Sequence, residues 1–325
     1  MKVRREAIGD AQWRALEEGR VHLIQEDEAV FRLTGSGRIA CVQGLVTSDV
    51  TAAGDDSHLF GALLTNKGMI QSTLRITRLT DQILLTVPRS AASLVGEVLA
   101  ASLPPRLCQF EDVTAQTIRM ASFGARAAEG TPSGEPVPPG KVRRENRGEQ
   151  LIAVVASVAR GIPGYELFII PGAPGYVPDW EPGEAPPSQA PELLEVCRIQ
   201  AGIPSLGAEI DEKTLPQEVR LEELGAISYT KGCYLGQETV ARLHFRGHAN
   251  RRLALLILDE EPDEPPLEVS LDGKVVGRLT SACWSADLES WVAQAVLRRE
   301  VEDGAEVTAA GIGAVVRVDR WLREP

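Results

Sequence analysis

The sequence predicts an α+β protein whose C-terminal end is a small antiparallel β-barrel. Three observations carry this. Strands and helices alternate over the first 250 residues, the strand–helix succession occurs twice, and the last 75 residues hold six short strands with little helix. At roughly 100–200 residues per domain, 325 residues predict two or three domains. The expected boundaries are 1–250, made of two related α+β subdomains, and 251–325, the barrel. A chain that is 43% hydrophobic and 25% charged is neither disordered nor fibrous.

The elements follow in order. Residues 11–18 have helical character, Ala29–Leu33 reads as a strand, and Gly35-Ser36-Gly37 turns the chain. Ile39–Leu45 carries a helical apolar stripe. Leu59–Leu64, Met69–Leu79 and Gln82–Val87 are consecutive strands, separated by the turn signals Asn66-Lys67-Gly68 and Thr80-Asp81. Leu94, Val95, Val98 and Leu99 mark a helix over Ser90–Leu103 that Pro104-Pro105 ends. The second passage begins with a strand at Val113–Ala121 and a Gly/Pro-rich loop at 124–140. Strands at Leu151–Ala159 and Tyr165–Ile170 follow, then a Pro-rich connection at 171–191 with seven prolines. Leu193, Leu194, Cys197 and Ala201 share a helical face, stopped by Gly202 and Pro204. The six barrel strands are Arg252–Leu258, Leu267–Leu271, Lys274–Thr280, Trp291–Leu297, Ala305–Thr308 and Ala314–Val318, with Asp272-Gly273 as a hairpin turn.

Composition narrows the function. No stretch reaches the roughly 18 apolar residues of a membrane helix. Asp10, Glu17 and Glu18 fall where a secretion signal would have its apolar core, so the expectation is a cytoplasmic protein with no membrane partner. The 34 Lys+Arg against 46 Asp+Glu leave a net charge of −12, unfavourable for general nucleic-acid binding. Cys41, Cys108, Cys197, Cys233 and Cys283 are widely spaced and odd in number. That excludes a disulfide framework, a zinc knuckle and a ferredoxin-type cluster motif.

Chemistry concentrates in Lys231-Gly232-Cys233-Tyr234-Leu235-Gly236-Gln237-Glu238. Glycines at 232 and 236 permit loop conformations closed to other residues, and a thiol, a phenol, an amide and a carboxylate lie beside them. Lys231, Arg242, His244 and His248 are near Cys233 in sequence, a setting that favours a thiolate. The alternative is a small inert side chain in a turn. Lys231 to Arg252 carries five basic residues and one acid, a local +4 that leaves −16 for the rest. A basic island on an acidic chain suits a specific anion; the plain alternative is a solvated face with ion pairs.

This segment resembles the K-G-C-Y-x-G-Q-E signature of the YgfZ family at every defined position. The resemblance extends to Gln43-Gly44-Leu45-Val46-Thr47-Ser48-Asp49-Val50, Leu63-Leu64-Thr65-Asn66-Lys67-Gly68, Gly164-Tyr165-Glu166, and Arg198-Ile199 through Gly202-Ile203-Pro204, spanning about residues 28–320. It implies a fold like the glycine-cleavage T-protein, an aminomethyltransferase: three domains in a ring around a channel that binds tetrahydrofolate or a one-carbon derivative. It also implies a role in assembling or repairing iron–sulfur client proteins, and through them in transfer RNA modification.

Folate has a pterin edge that needs an acceptor and a tail of carboxylates. Glu166 and Gln237 are candidate acceptors, and Tyr165 and Tyr234 candidate packing surfaces. Lys231, Arg242 and Arg246 are candidates for the tail, and Cys233 for the chemistry, as a nucleophile or transient iron ligand. The plain alternatives are a surface position for Glu166 and core packing for the tyrosines; Arg198 is expected to anchor a helix end, and Glu238 to orient the loop. Where the resemblance places the acidic pair of the aminomethyltransferases, this chain has Ser72 and Thr73. Neither can accept a proton as a carboxylate does. The expectation is therefore an accessory factor, with a folate-dependent aminomethyl- or methyltransferase as the alternative.

Three other patterns carry less. Gly35-Ser36-Gly37-Arg38-Ile39-Ala40 fits a loose dinucleotide fingerprint, but Asp55 falls in a turn rather than at a strand end. His244 and His248 have metal-site spacing, but no Glu follows the first and Gly247 weakens a helix. The barrel lacks the aromatics and lysines of a base-stacking surface, so direct nucleic-acid binding is not expected.

Overall fold

The computed structural model describes all residues except 5–6, 19–20, 26, 148–149, 158–160, 171–189 and 324–325, so nearly all of the Pro-rich connection lies outside the described residues. Helix α1 (Asp10–Glu18) leads into β1 (Val21–Ile24) and β2 (Glu28–Thr34). Helices α2 (Arg38–Leu45) and α3 (Val50–Ala53) precede β3 (Ser57–Leu64), β4 (Ile70–Arg78) and β5 (Ile83–Pro88); α4 (Ala92–Ser102) and β6 (Gln109–Asp112) follow. Strands β3-β4-β5-β2-β6 form an antiparallel sheet. A second antiparallel sheet has the order β1-β7-β10-β9-β8, from β7 (Ile118–Phe123), β8 (Val142–Arg147), β9 (Gln150–Ala156) and β10 (Gly164–Ile170). Helices α5 (Ala190–Gln200) and α6 (Gln237–Arg246) follow. A closed six-stranded barrel then comprises β11 (Arg251–Leu258), β12 (Leu267–Leu271), β13 (Lys274–Ser285), β14 (Ser290–Arg298), β15 (Glu306–Ala309) and β16 (Ile312–Arg317). The architecture is thus mixed α and β with a C-terminal antiparallel barrel. No helix among the described residues is long and apolar enough to cross a membrane.

The period of two in the strands assigns each sheet two buried faces. In the first sheet Ala29, Phe31, Leu33, Leu74, Ile76, Ile83, Leu85 and Val87 pack with α2 and α4. Val30 and Leu84 point the other way, onto Ala153, Val155, Phe168 and Ile170 of the second sheet. The two sheets therefore pack face to face. Sequence and structure differ in several places. The expected strand Val113–Ala121 begins instead as a 3-10 turn at Thr114–Gln116, with β7 starting only at Ile118, and the sequence marked neither β6 before it nor β8 after it. The four-residue β1 pairs with β7 of the second sheet rather than with its chain neighbour β2. Residues 237–246 form a helix that Gly247 ends rather than weakens.

A buried ionic cluster spans the two sheets. Arg75 of β4 and Arg119 of β7 both bond the carboxylate of Glu28 on β2. Arg119 also donates to Glu166 of β10 at 2.9 Å, with Arg75 3.6 Å from the same oxygen. Ser157 donates to the other Glu166 oxygen at 3.1 Å. Two guanidiniums against two carboxylates balance the charge, and all four residues are less than a tenth exposed.

The barrel is joined to α5 by polar contacts. Arg198 bridges Glu195 (2.6 Å) and the buried Glu209 (2.9 Å), and donates to Ser281. The amide of Gln294 on β14 lies within bonding distance of the carbonyls of Arg198, Ile199 and Ile203 at and just beyond the end of α5. Arg198 is an anchor at a helix end, as expected.

Removing one member of the inter-sheet cluster leaves charge buried without a partner. Arg119→Met is expected to lower stability by about 3–5 kcal/mol, read as a fall in the denaturant midpoint. Glu111→Gln, at the exposed pair with Arg32, should leave the midpoint unchanged.

Candidate functional site

Two of the segments that carry the resemblance, residues 43–50 and 63–68, meet the loop from Ser228 to Gly236. Residues 43–50 join α2 to α3 and are stitched to β3: Thr47 N–H donates to the Ala62 carbonyl (3.0 Å) and Thr47 Oγ1 accepts from Ala62 N–H (2.8 Å). The loop is stitched to the same residues. Thr47 Oγ1 donates to the Ala226 carbonyl (2.6 Å), Ser228 N–H to the Thr47 carbonyl (2.9 Å), and Leu235 N–H to the Gly44 carbonyl (3.2 Å).

Lys231 is the strongest tie. Its ammonium donates to the carbonyls of Gln43 (2.7 Å), Val46 (2.7 Å) and Ser48 (2.8 Å), and lies 5.0 Å from the centre of the Tyr234 ring. Burial pulls this lysine down to about 8, while the charge of Asp49 acts in the opposite sense. All three ammonium protons are used, so Lys231 holds the loop and has no donor left for a folate tail.

The β3–β4 turn packs under the start of α6. Gly236, the N-cap residue of α6, has φ +80°, and a Cβ there would stand 2.4 Å from the Thr65 carbonyl oxygen. Gly68 is as constrained, with φ +84° and a Cβ position 2.9 Å from Thr239 Cβ. Gly232 needs no special conformation, because its φ is ordinary and open space surrounds its Cβ position. Of the two loop glycines, only Gly236 has the structural role the sequence suggested for both.

The side chains of the loop divide sharply. Tyr234 is buried with Leu64, Ile70 and Val240, and burial pushes its phenol up to about 12. Its hydroxyl has no hydrogen-bond partner among the described residues. Cys233, one residue earlier, is exposed, whereas Cys108, Cys197 and Cys283 are buried. Cys233 is therefore not part of the packed core. Gln237 is half-buried at the first turn of α6, and Glu238 is exposed. Arg242 and Arg246 are exposed, and neither forms an ion pair with a described residue.

Two sequence candidates take other roles. Tyr165 and Glu166 are neighbours on β10 and point to opposite faces, so they cannot line one slot. Tyr165 packs at the margin of the Met120, Ile152 and Leu167 cluster. Glu166 is neither a surface residue nor a lone acceptor: it sits in the Arg75–Arg119 cluster. The sequence offered no sign of Arg75 and Arg119, each of which pairs with one carboxylate of its own sheet and one of the other. The alternation that separates Tyr165 from Glu166 was legible.

Thr73 and Arg75 share the face of β4 that looks away from α2 and α4, and their partners across the pair are Ala62 and Phe60 of β3. This face runs from the Tyr234 cluster, which holds Ala62 and Phe60, to the ionic cluster at Arg75. Ser72 turns to the other side, buried, and donates to the Thr73 carbonyl (2.7 Å).

The remaining patterns have structural explanations. Asp55 pairs with Arg78 at 2.8 Å, which does not suit a ribose-binding acid. His244 stacks on Tyr229 with ring centres 3.7 Å apart, and its Nδ1 is 2.7 Å from Glu222. Among the described residues no group of three His, Cys, Asp or Glu is placed to hold a metal ion.

Comparison with known proteins agrees with this layout. A family model described as the glycine cleavage T-protein C-terminal barrel domain matches residues 251–321. The chain is 27% identical over 287 residues to the tRNA-modifying protein YgfZ of Cronobacter sakazakii, covering 86% of this chain and 85% of that protein. It is 30% identical over 287 residues to the protein of the same name from Escherichia fergusonii, covering 85% of each. The crystal structure of glycine cleavage system aminomethyltransferase T from Bartonella henselae matches with a TM-score of 0.77, over 94% of this chain and 87% of that one, at 16% identity. The fold is that of the T-protein.

Lys231→Met leaves buried carbonyls without a donor and should cost about 2–3 kcal/mol, with faster hydrogen exchange in residues 228–236. Gly236→Ala should cost about 1–3 kcal/mol through backbone strain, whereas Gly232→Ala should be neutral. In the native protein a thiol reagent followed by mass spectrometry should modify Cys233 first, Cys41 more slowly, and the three buried cysteines only after unfolding.

Proposed function

We propose that this chain, which belongs to the YgfZ family, is a tetrahydrofolate-binding accessory protein for the assembly or repair of iron–sulfur enzymes, and through them supports transfer RNA modification. One observation carries the reading: three segments far apart in sequence fix a loop in which a single thiol, Cys233, is exposed while its neighbours Lys231 and Tyr234 are locked. A rigid loop presenting one soft nucleophile suits transient chemistry with a client or an iron ion. The relatives named above are tRNA-modifying proteins, and the T-protein they resemble in fold is an aminomethyltransferase.

The residues present fit a folate. The orphaned Tyr234 hydroxyl is buried next to the β3–β4 face and offers a donor and an acceptor that no described residue uses. Gln237 adds an amide at the start of α6. Arg242 and Arg246 stand on one helix at i, i+4 spacing with uncommitted guanidiniums, suited to carboxylates of a glutamyl tail. A bound tetrahydrofolate would supply a reduced pterin able to carry a one-carbon unit. Glu166 belongs to the framework behind this face, because Arg119 and Arg75 neutralise its charge.

The aminomethyltransferase alternative needs an ionisable group on β4. Thr73, buried on the face toward the Tyr234 cluster, has none, and Ser72 is turned to the other side and bonded to the backbone.

Calorimetric titration of tetrahydrofolate into the intact protein should show binding that Arg242→Ala weakens about tenfold, the loss of a charge-assisted contact. Tyr234→Phe should weaken it less and leave the fold intact. In a deletion strain, the wild-type gene should restore iron–sulfur enzyme activity and Cys233→Ser should not. Full restoration by Cys233→Ser overturns the role of the thiol, and absence of folate binding overturns the cofactor. Turnover of an aminomethyl donor to methylene-folate would establish the transferase alternative instead.

A further inference from the structure

Beyond the motif loop, a cleft of about 670 Å³ opens where the segment after α6 meets the rim of the barrel. Its volume suits a mononucleotide-sized ligand. Arg251 on β11 and Arg298 on β14 are direct cross-strand partners, and Arg299 follows, held by a bond from its N–H to the Asn250 carbonyl at 2.8 Å. Three arginines thus converge on one end of a β-pair in a chain of net charge −12. Like charges directly opposite on neighbouring strands are destabilising.

The acids at the cleft only partly relieve this. Glu218 is buried, takes two bonds from Arg251 (3.0 and 3.1 Å) and one from Leu215 N–H (3.0 Å), and is spent on holding that arginine in place. Glu300 lies 3.6 Å from Arg298 with both side chains at least 60% exposed, a weak pair that an incoming anion can displace. Arg299 forms no ion pair with a described residue. His248 and Asn250, also on the wall, add further polar groups. The cations lining the cleft are arginines, with no lysine among them, and a planar fork of donors matches a phosphate bidentately. On the α6 side the surface continues with exposed Arg242, Arg246 and Phe245, the last 67% exposed.

We propose that this cleft binds a nucleoside phosphate, either free or as the end of an RNA strand. The phosphate lies between Arg298 and Arg299 in place of Glu300, and His248 and Asn250 lie toward the sugar. A strand would continue beyond its first nucleotide toward the exposed Phe245 of α6, a stacking surface.

The test uses the intact protein with three probes: adenosine 5′-monophosphate, a 5′-phosphorylated oligoribonucleotide, and adenosine without phosphate. Binding is followed by calorimetry at low and at physiological ionic strength. The monophosphate should bind and adenosine should not. Arg299→Glu and Arg298→Ala should each weaken the monophosphate about tenfold or more while melting temperature and tetrahydrofolate affinity stay at wild-type values. If the source is RNA, the oligonucleotide binds more tightly than the monophosphate, with a steeper salt dependence, and Phe245→Ala weakens only the oligonucleotide. If the source is a free nucleotide, the two bind alike. Equal binding of adenosine, binding of neither phosphate probe, or an unchanged affinity in Arg299→Glu overturns the proposal.

Discussion

A buried ammonium without a carboxylate partner within bonding reach is an uncommon way to hold a loop, and the motif region depends on one. Lys231 lies where α2 ends, and two of its three acceptors, the carbonyls of Gln43 and Val46, belong to the last turn and cap of that helix. Helix C-termini leave carbonyls without donors and carry partial negative charge. A cation there repairs both, and the third bond, to Ser48, fixes the chain as it turns toward α3. Lysine suits the position better than arginine, because three divergent protons on one small group match three converging carbonyls. The desolvation that pulls Lys231 down to about 8 is the cost of this arrangement, met by bonds that order both the loop and the segment it rests on. Cys233 inherits its position from that anchor two residues away.

The second constraint is the pleat. On β4, Ser72, Leu74 and Ile76 alternate with Thr73 and Arg75, and the first set packs under the helices while the second meets the opposite sheet and the motif cluster. The same alternation places Glu166 with the arginines and Tyr165 in an apolar cluster. The two five-stranded sheets also share an apolar contact, which is non-directional. The Glu28–Arg75–Arg119–Glu166 cluster fixes their register, since each arginine reaches a carboxylate of the other sheet. Breaking one contact would expose charge to a dry interior.

Much of this was legible in the sequence, and the failures have physical causes. Alternating strands, the barrel hairpin at Asp272-Gly273 and the helix at 92–102 follow from local pattern and turn chemistry, which residues close in sequence determine. The strand β1 is short and pairs with a segment nearly 100 residues away, so nothing local marks its partner. Helix α6 was obscured because Gly247 weakens a helix interior, whereas it terminates this one. In the site, the Cys233 loop was legible as chemistry, but the assignment of Lys231 to a ligand was not safe. A lysine in a glycine-flanked loop looks free until the carbonyls of residues 43–48 are brought to it by the fold.

Charge on the Thr73–Arg75 face of β4 separates the two readings of the site. An aminomethyl transfer needs a negative or proton-accepting group beside the reacting nitrogen. The acids near this face, Glu28 and Glu166, are already bound by Arg75 and Arg119, so the cluster contributes no net charge. Thr73 contributes none, and the motif loop presents Arg242 and Arg246 on the adjoining helix. Such a surface attracts an anionic ligand but gives little help to a developing cation or a departing proton. On the proposed reading the chemistry lies instead with the thiol of the motif loop, which the fold holds in place and leaves exposed.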